Sequence, residues 1–538
     1  MDEYEVLGGL HQIIDKDIDI RMKAWLDSHN VNFYLLYPLA AIEVEAILQR
    51  PETQDSQFKR CIASFVYSKA IENRKDIYIK KFNAPGFKKY LKSYTTDLYP
   101  VYQNYRFSRE INDINPMTKP LLERKDTHRY TLTTSLVTDQ YNEETFYFYG
   151  MDDRQSFVRE REERLALNFR FIKMIEREKS GTNDYIDIDL YHECIKIVEK
   201  DLNKWGSSVK SPVFDKPNSL ARVIAFFYYH AMMRSIILQF YKEDLYNNAD
   251  KCIMYFDKKS IIKTISEISG LIEYRVKTIV NYLINDGKMN ILEFPLFEVG
   301  GTLVTIPSVI LVNDWQFSII NGHYIKNILI KNREKTISAV TENRIESTLN
   351  GITNVAVAKT VPYSYKDDQG KVLNSDIDYA IYDLTHNKIL VIEAKWIDRH
   401  YKDEIDKIYG KIFQTINSIY TKQIEKHKQF LSKQENIDIL FGGSKGYKKG
   451  LQRPEVYYLA VDKRNQMHIG DRHMVSEYML IYFLRKFISG DQLDLEAMWK
   501  EISKLQTKVE YIAVSDDYYE IVVNEETVMV EKEDINWT

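Results

Sequence analysis

Two charged residues interrupt an apolar run in the last third of the chain. Ile389-Leu390-Val391-Ile392 reads as a strand buried on both faces, yet it continues into Glu393-Ala394-Lys395-Trp396 instead of ending in a turn. Successive strand residues alternate faces, so Glu393 and Lys395 share one face and Ala394 points to the other. Upstream, "SDIDYAIY" alternates in the same way and sets Asp376 and Asp378 on one face. The connecting "DLTHNK" is a polar turn, so the two strands form an antiparallel hairpin. A turn centred between Thr385 and His386 brings Asp378 opposite Glu393. A slip of two residues brings Asp376 there instead and keeps the same face in use.

Two unshielded carboxylates so close together repel, which raises one pKa and costs stability unless a cation joins them. Hard oxygen donors suit Mg²⁺ or Mn²⁺, with further positions open to water and to a phosphate oxygen. A lysine beside the pair can orient an attacking water and offset charge building on the phosphate. Phosphodiester hydrolysis needs all of these parts. The competing reading makes Glu393 and Lys395 an edge-strand ion pair and leaves Asp376 and Asp378 as residues bounding a turn. The unbroken aliphatic run is an interior pattern and argues against an edge.

Asp378, followed fifteen positions on by Glu393-Ala394-Lys395, resembles the signature of the PD-(D/E)xK nuclease superfamily, the restriction-endonuclease-like fold. The resemblance covers the region from near His323 to near Arg472. It implies metal-dependent cleavage of nucleic acid, with Asp378 and Glu393 as metal ligands and Lys395 as a catalytic residue. It also implies a glutamate on the helix before the aspartate strand. "TENRIESTL" offers Glu342 and Glu346 there, one turn apart on one face. Members often carry a glutamine or lysine on the following helix, where Gln414 falls. One departure is Ile377 before Asp378, where the pattern has proline. A degenerate, non-cleaving member of the fold would keep the same spacing and act as a DNA-binding regulator or scaffold. A role in bacterial defence against foreign DNA, or in repair, enters only by analogy.

The elements that position these residues belong to a chain of 538 residues, too long for one hydrophobic core and long enough for two to four domains. Its 44% hydrophobic and 28% charged residues are ordinary for globular proteins, so little of it should be disordered. Three scattered cysteines support neither a disulfide framework nor a structural zinc site and fit a reducing cytoplasm. The acidic start "MDEYEVLGGL" lacks the pattern of a signal peptide. "RVIAFFYYHAMMRSIILQFY" is broken by Arg222, His230, Arg234 and Gln239, so it reads as a buried helix and not as the roughly 20 apolar residues of a membrane span. With a net charge of −4, any nucleic-acid surface must be a local patch.

Residues 1–250 have mostly helical spacing, with strand-like exceptions at "RYTLTTSLVTDQ" and "ETFYFYG", and read as a recognition or regulatory region of one or two domains. No phosphate-binding loop for a nucleotide motor occurs, which leaves a motor or an activating signal to a partner protein. Residues 251–315 run helix, short turn, helix and hairpin, the order of a winged helix, with Arg275 and Lys277 near the start of the second helix where such folds meet DNA. Residues 316–490 form the nuclease-like α/β core with a mixed central sheet, its first helix running from His323 to Asn350. Residues 491–538 form a β-rich extension appended to that core. The fold class expected is therefore multi-domain α+β. Lys445, Lys448 and Lys449 in "GGSKGYKKG" offer a phosphate grip or a solvated loop. His192, Cys194, His468 and His473 lack partners at ligand spacing and read as structural. DNA is the expected substrate, without a membrane partner. A homodimer fits, since one such site cuts one strand.

Overall fold

The computed structural model describes residues 3–48, 54–73, 80–111, 120–138, 166–175, 186–202, 211–291, 293–313, 315–330, 333–366, 370, 372–397, 405–449, 452–463, 465–512, 517–523 and 526–533. The strand-like segment "ETFYFYG" lies outside them. The architecture is mixed α+β with a helical N-terminal half. Among the described residues no helix is long and apolar enough to cross a membrane.

The opening helix Glu3–Ser28 buries Val6, Leu10, Ile14, Ile18 and Met22, a single stripe at i, i+4 spacing. That stripe joins a core shared with helices Tyr37–Ile47, Gln54–Glu72, Ala84–Ser93 and Tyr99–Ile111. A sheet borders it. Strands β1 (Leu121–Arg124) and β2 (Arg129–Thr138) pair antiparallel.

The middle of the chain has its own core, running from Leu167 to Ile330. The apolar helix Pro217–Gln239 is buried within it, as its composition requires. Strand β3 (Met254–Asp257) leads into helix Lys258–Ser269, whose first turn is capped by the Asp257 carboxylate and whose end is set by Gly270 at φ +69°. Helix Glu273–Leu283 follows, then β4 (Phe297–Val299) and β5 (Thr302–Thr305). Gly300 and Gly301, at φ +57° and +82°, make the two-residue turn between the paired residues Val299 and Thr302. β3 completes a three-stranded antiparallel sheet by pairing with β5. Because Leu190, Ile224 and Ile265 share this core, the boundary expected at residue 250 passes through it.

The C-terminal α/β core is built on β6 (Val355–Lys366), β7 (Val372–Asp383), β8 (Lys388–Lys395), β9 (Glu455–Asp462), β10 (Met467–Ile469) and β11 (Arg472–Ser476), in the order β10-β11-β9-β8-β7-β6. The sheet is mixed. β6, β7 and β8 are antiparallel, β8, β9 and β11 are parallel, and β10 turns back on β11. Helices Arg333–Leu349, Glu477–Lys486 and Leu495–Ile502 cover one face through Tyr379, Ile381, Leu390 and Ile392. Helices Glu425–Leu431 and Gln434–Phe441 cover the other through Ala380, Tyr382, Ile389 and Val391. β8 is thus an interior strand covered on both faces, which explains its unbroken aliphatic run.

Two expectations about this core are corrected. The helix expected from His323 to Asn350 is two helices, Trp315–Ile325 and Arg333–Leu349, because the first ends where Asn327 takes φ +53° and the Ile328 amide donates back to the His323 carbonyl. The last strands, β12 (Lys508–Ile512), β13 (Asp517–Val523) and β14 (Glu526–Glu533), do not extend the α/β sheet. β13 and β14 form the expected hairpin, but β14 pairs parallel to β2 and β12 pairs antiparallel to it. Val528 and Val530 alternate onto one apolar face, which is buried in the N-terminal core.

Candidate active site

The β7–β8 ladder runs from Asp383↔Lys388 at the turn to Tyr379↔Ile392. One step further sets Asp378 across from Glu393, where the Ala394 amide donates to Asp378 Oδ2 at 2.8 Å in place of a ladder bond. Asp376 is exposed and two residues out of register with Glu393. The hairpin turn therefore selects Asp378. Both carboxylates lie on the face under helix Glu425–Leu431, since Ala380 and Val391, two residues along each strand, pack there.

Glu393 is 1% exposed. His427 Nε2 lies 2.7 Å from its Oε1, and Lys395 Nζ lies 3.5 Å from its Oε2. Lys395 is one-third exposed and leads from the buried strand to solvent. Burial and the facing Glu393 push Asp378 up to about 7, although Lys395 and the Ala394 amide pull the other way. That penalty on a second negative charge is what a bound cation would remove. The donor set fits a hard divalent ion: two carboxylates face each other, and Asp378 Oδ1 has no hydrogen-bond partner among the described residues.

The raised pKa carries a stability consequence. The native state holds the Asp378 proton more tightly than the unfolded chain, so its contribution is full below pH 3.8 and is lost as the pH rises through about 7. Asp378→Asn carries no such charge. In metal-free buffer, melting curves are expected to show the variant gaining on the wild type by a few degrees across that window. An unchanged difference would mean that Asp378 is not strained by its surroundings.

The other residues singled out from the sequence are distributed as follows. Glu342 (buried) and Glu346 (exposed) lie on helix Arg333–Leu349, over the opposite face of the sheet. Lys359 Nζ lies 3.7 Å from Glu342 Oε2 and 3.2 Å from Glu346 Oε2. Thr360 Oγ1 donates to Glu342 Oε1 at 3.1 Å. Thr360 falls across from Asp378, between the pairs Lys359↔Tyr379 and Val361↔Ile377, and its φ of +46° is rare for a β-branched residue. Glu342 is thus tied to a distorted strand position at the level of the site, whereas Glu346, among the described residues, pairs with Lys359. Gln414 is exposed on helix Ile405–Ser418, whose inner face presents Ile412 and Ile416.

Arg275 is committed elsewhere, to Asp215 Oδ2 at 2.7 Å and to the Val213 carbonyl at 3.1 Å. Lys277 is exposed. Lys445, Lys448 and Lys449 are exposed on a loop anchored by Ser444 Oγ to the Val357 carbonyl and by Gly446 beside Leu384, at the turn end of the hairpin. Leu384 is six residues from Asp378, roughly 20 Å along a strand.

A different carboxylate–histidine cluster, Asp383, His386 and Asp494, could bring three ligand atoms together. Its oxygens are already used by the fold. Asp383 accepts from the Thr385, His386 and Leu495 amides and from Asn354 and His386 side chains, and Asp494 caps helix Leu495–Ile502 at the Ala497 amide. It reads as turn and cap chemistry.

Sequence reasoning passed over His427 and Tyr363. The signal was the spacing Ile424, His427, Phe430 and Leu431, which puts a histidine in the apolar stripe of an amphipathic helix. Comparison of the chain with protein-family models, with curated proteins and with solved structures returned no match.

Proposed function

We propose that the chain is a nuclease dependent on Mg²⁺ or Mn²⁺ that hydrolyses phosphodiester bonds, with DNA as its preferred substrate. The observation that carries this reading is the meeting of Asp378 and Glu393 across an interior hairpin, with Lys395 beside them on the same face. Asp378 and Glu393 would hold the divalent ion. When bound, it would polarise a phosphate oxygen and lower the pKa of a water. Lys395, reaching from the buried strand into solvent, orients the attacking water and offsets negative charge on the phosphate. Glu342 lies over the opposite face of the sheet, so its part is to steady Thr360, across from Asp378, rather than to join the two carboxylates.

Support for the restriction-endonuclease-like reading comes from the mixed sheet with helices on both faces and the hairpin that carries both carboxylates. The order strand, helix, turn, helix and hairpin, closed by β3 against β5, supports a winged-helix reading of the middle module, with Lys277 rather than Arg275 free to reach phosphate. A homodimer, or a partner chain that supplies a motor or an activating signal, belongs to this reading, as does action on foreign DNA or in repair.

One observation favours the non-cleaving alternative: both Glu393 oxygens already face partners, His427 and Lys395. Incubating the full chain with plasmid, single-stranded DNA and RNA, with Mg²⁺ or Mn²⁺ and with EDTA, separates the two. Cleavage that EDTA abolishes is expected. Binding of DNA without cleavage under any metal would overturn the nuclease and leave the regulator.

A further inference from the structure

Glu393 is anchored from behind by two residues that neither the motif nor the local sequence requires. His427, on helix Glu425–Leu431, is fully buried, with Nε2 at 2.7 Å from Glu393 Oε1 and Nδ1 at 2.6 Å from the Tyr363 hydroxyl. Tyr363 comes from edge strand β6 and is clamped by Phe430, the rings stacked 4.0 Å apart at 19°. Two elements therefore back one carboxylate oxygen, the helix directly through His427 and strand β6 through Tyr363 behind it.

The donors order themselves. A carboxylate oxygen accepts, so the bond to Glu393 Oε1 is donated by Nε2, and a ring protonated there alone accepts the Tyr363 hydroxyl proton at Nδ1. Burial raises the Tyr363 pKa, so the phenol keeps that proton. Every polar hydrogen in the chain is used, as burial demands.

We propose that Tyr363 and His427 are positioning residues that fix the Glu393 carboxylate by Oε1 and so present Oε2 to Lys395 and to a bound divalent ion. This rests on the reading of Asp378 and Glu393 as metal ligands and names what sets their geometry. A carboxylate at the open end of a strand, facing a second negative charge, turns away from it unless something holds it. Hydrogen-bonded partners behind a ligand supply that restraint, and their loss typically weakens metal binding about 10–100-fold.

The test uses the full-length chain with Mn²⁺ as the probe, read by calorimetric titration and by cleavage across a metal series, with melting curves for folding. His427→Ala should raise the Mn²⁺ dissociation constant about 10–100-fold and shift cleavage to higher metal concentration. His427→Gln, whose amide can still donate to Glu393, should recover most of the affinity. Tyr363→Phe removes one hydroxyl without changing the ring and should give a smaller shift in the same direction. It serves as the test if His427→Ala does not fold. A wild type that binds and cleaves, with folded variants that bind Mn²⁺ as tightly, would overturn the positioning role alone. A wild type that neither binds nor cleaves would overturn the nuclease reading, and this inference with it.

Discussion

Replacing Lys395 with alanine is expected to lower the single-turnover cleavage rate at saturating metal by about 10²–10³-fold while leaving the melting temperature close to that of the wild type. The two halves of that expectation have separate causes. Lys395 is one-third exposed, and its contact with Glu393 is 3.5 Å long, so the ion pair stabilises the fold little. It nevertheless stands beside a buried carboxylate and reaches solvent, where on the proposed reading it would meet the phosphate. Charge developing on the substrate in a partly dried site is where a fixed cation has its largest effect. Removing it should not weaken metal binding, because it takes away a competitor for Glu393 Oε2. A rate that survives Lys395→Ala would remove Lys395 from the site. A melting temperature that falls with the rate would mean that the loss is one of folding.

The hairpin that brings Asp378 and Glu393 together was legible because its determinants are local. Alternation fixed the faces and the polar turn implied a facing carboxylate pair, but the choice between Asp378 and Asp376 stayed open until the β7–β8 register settled it. The anchoring of Glu393 was not legible, because His427 and Tyr363 are 34 and 30 positions away and converge only through the helical crossover after β8 and the return of β6 to the sheet edge. A histidine in an apolar stripe reads as core until its partner is seen. Arg275 failed for the same reason: its position near a helix start pointed outward to phosphate, but Asp215, 60 residues earlier, had already claimed it. The final hairpin was readable as a hairpin. Its pairing with β2 was not, because an alternating strand specifies that one face must be covered and says nothing about which strand will lie beside it.

Glu477→Ala is expected to destabilise the C-terminal α/β core by about 3–5 kcal/mol. Glu477 opens helix Glu477–Lys486 and is 2% exposed. Its Oε1 accepts from Arg344 Nη1 at 2.8 Å, its Oε2 accepts from Thr341 Oγ1 at 2.6 Å, and Lys463 pairs with the same oxygen. Burial alone would raise the Glu477 pKa, but the Lys463 ammonium and the Arg344 guanidinium outweigh it and hold the carboxylate at about 2. Burial lowers Lys463, which Glu477 only partly offsets because Arg344 stands beside it. Two half-buried cations, Arg344 and Lys463, thus converge on one buried carboxylate, and deleting it removes the negative charge that both face. The pH dependence follows from the direction of the shift. The native state binds the Glu477 proton more weakly than the unfolded chain, so the stabilisation is full above pH 4.5 and is lost as the pH falls through about 2. Denaturation curves should therefore show the gap between wild type and Glu477→Gln narrowing on acidification through that window, and a gap independent of pH would sink the assignment. Thr341 and Arg344 flank Glu342 on the helix that Glu477 secures. Loosening it should also free Glu342 from Thr360, so activity should fall by more than the folded fraction alone accounts for.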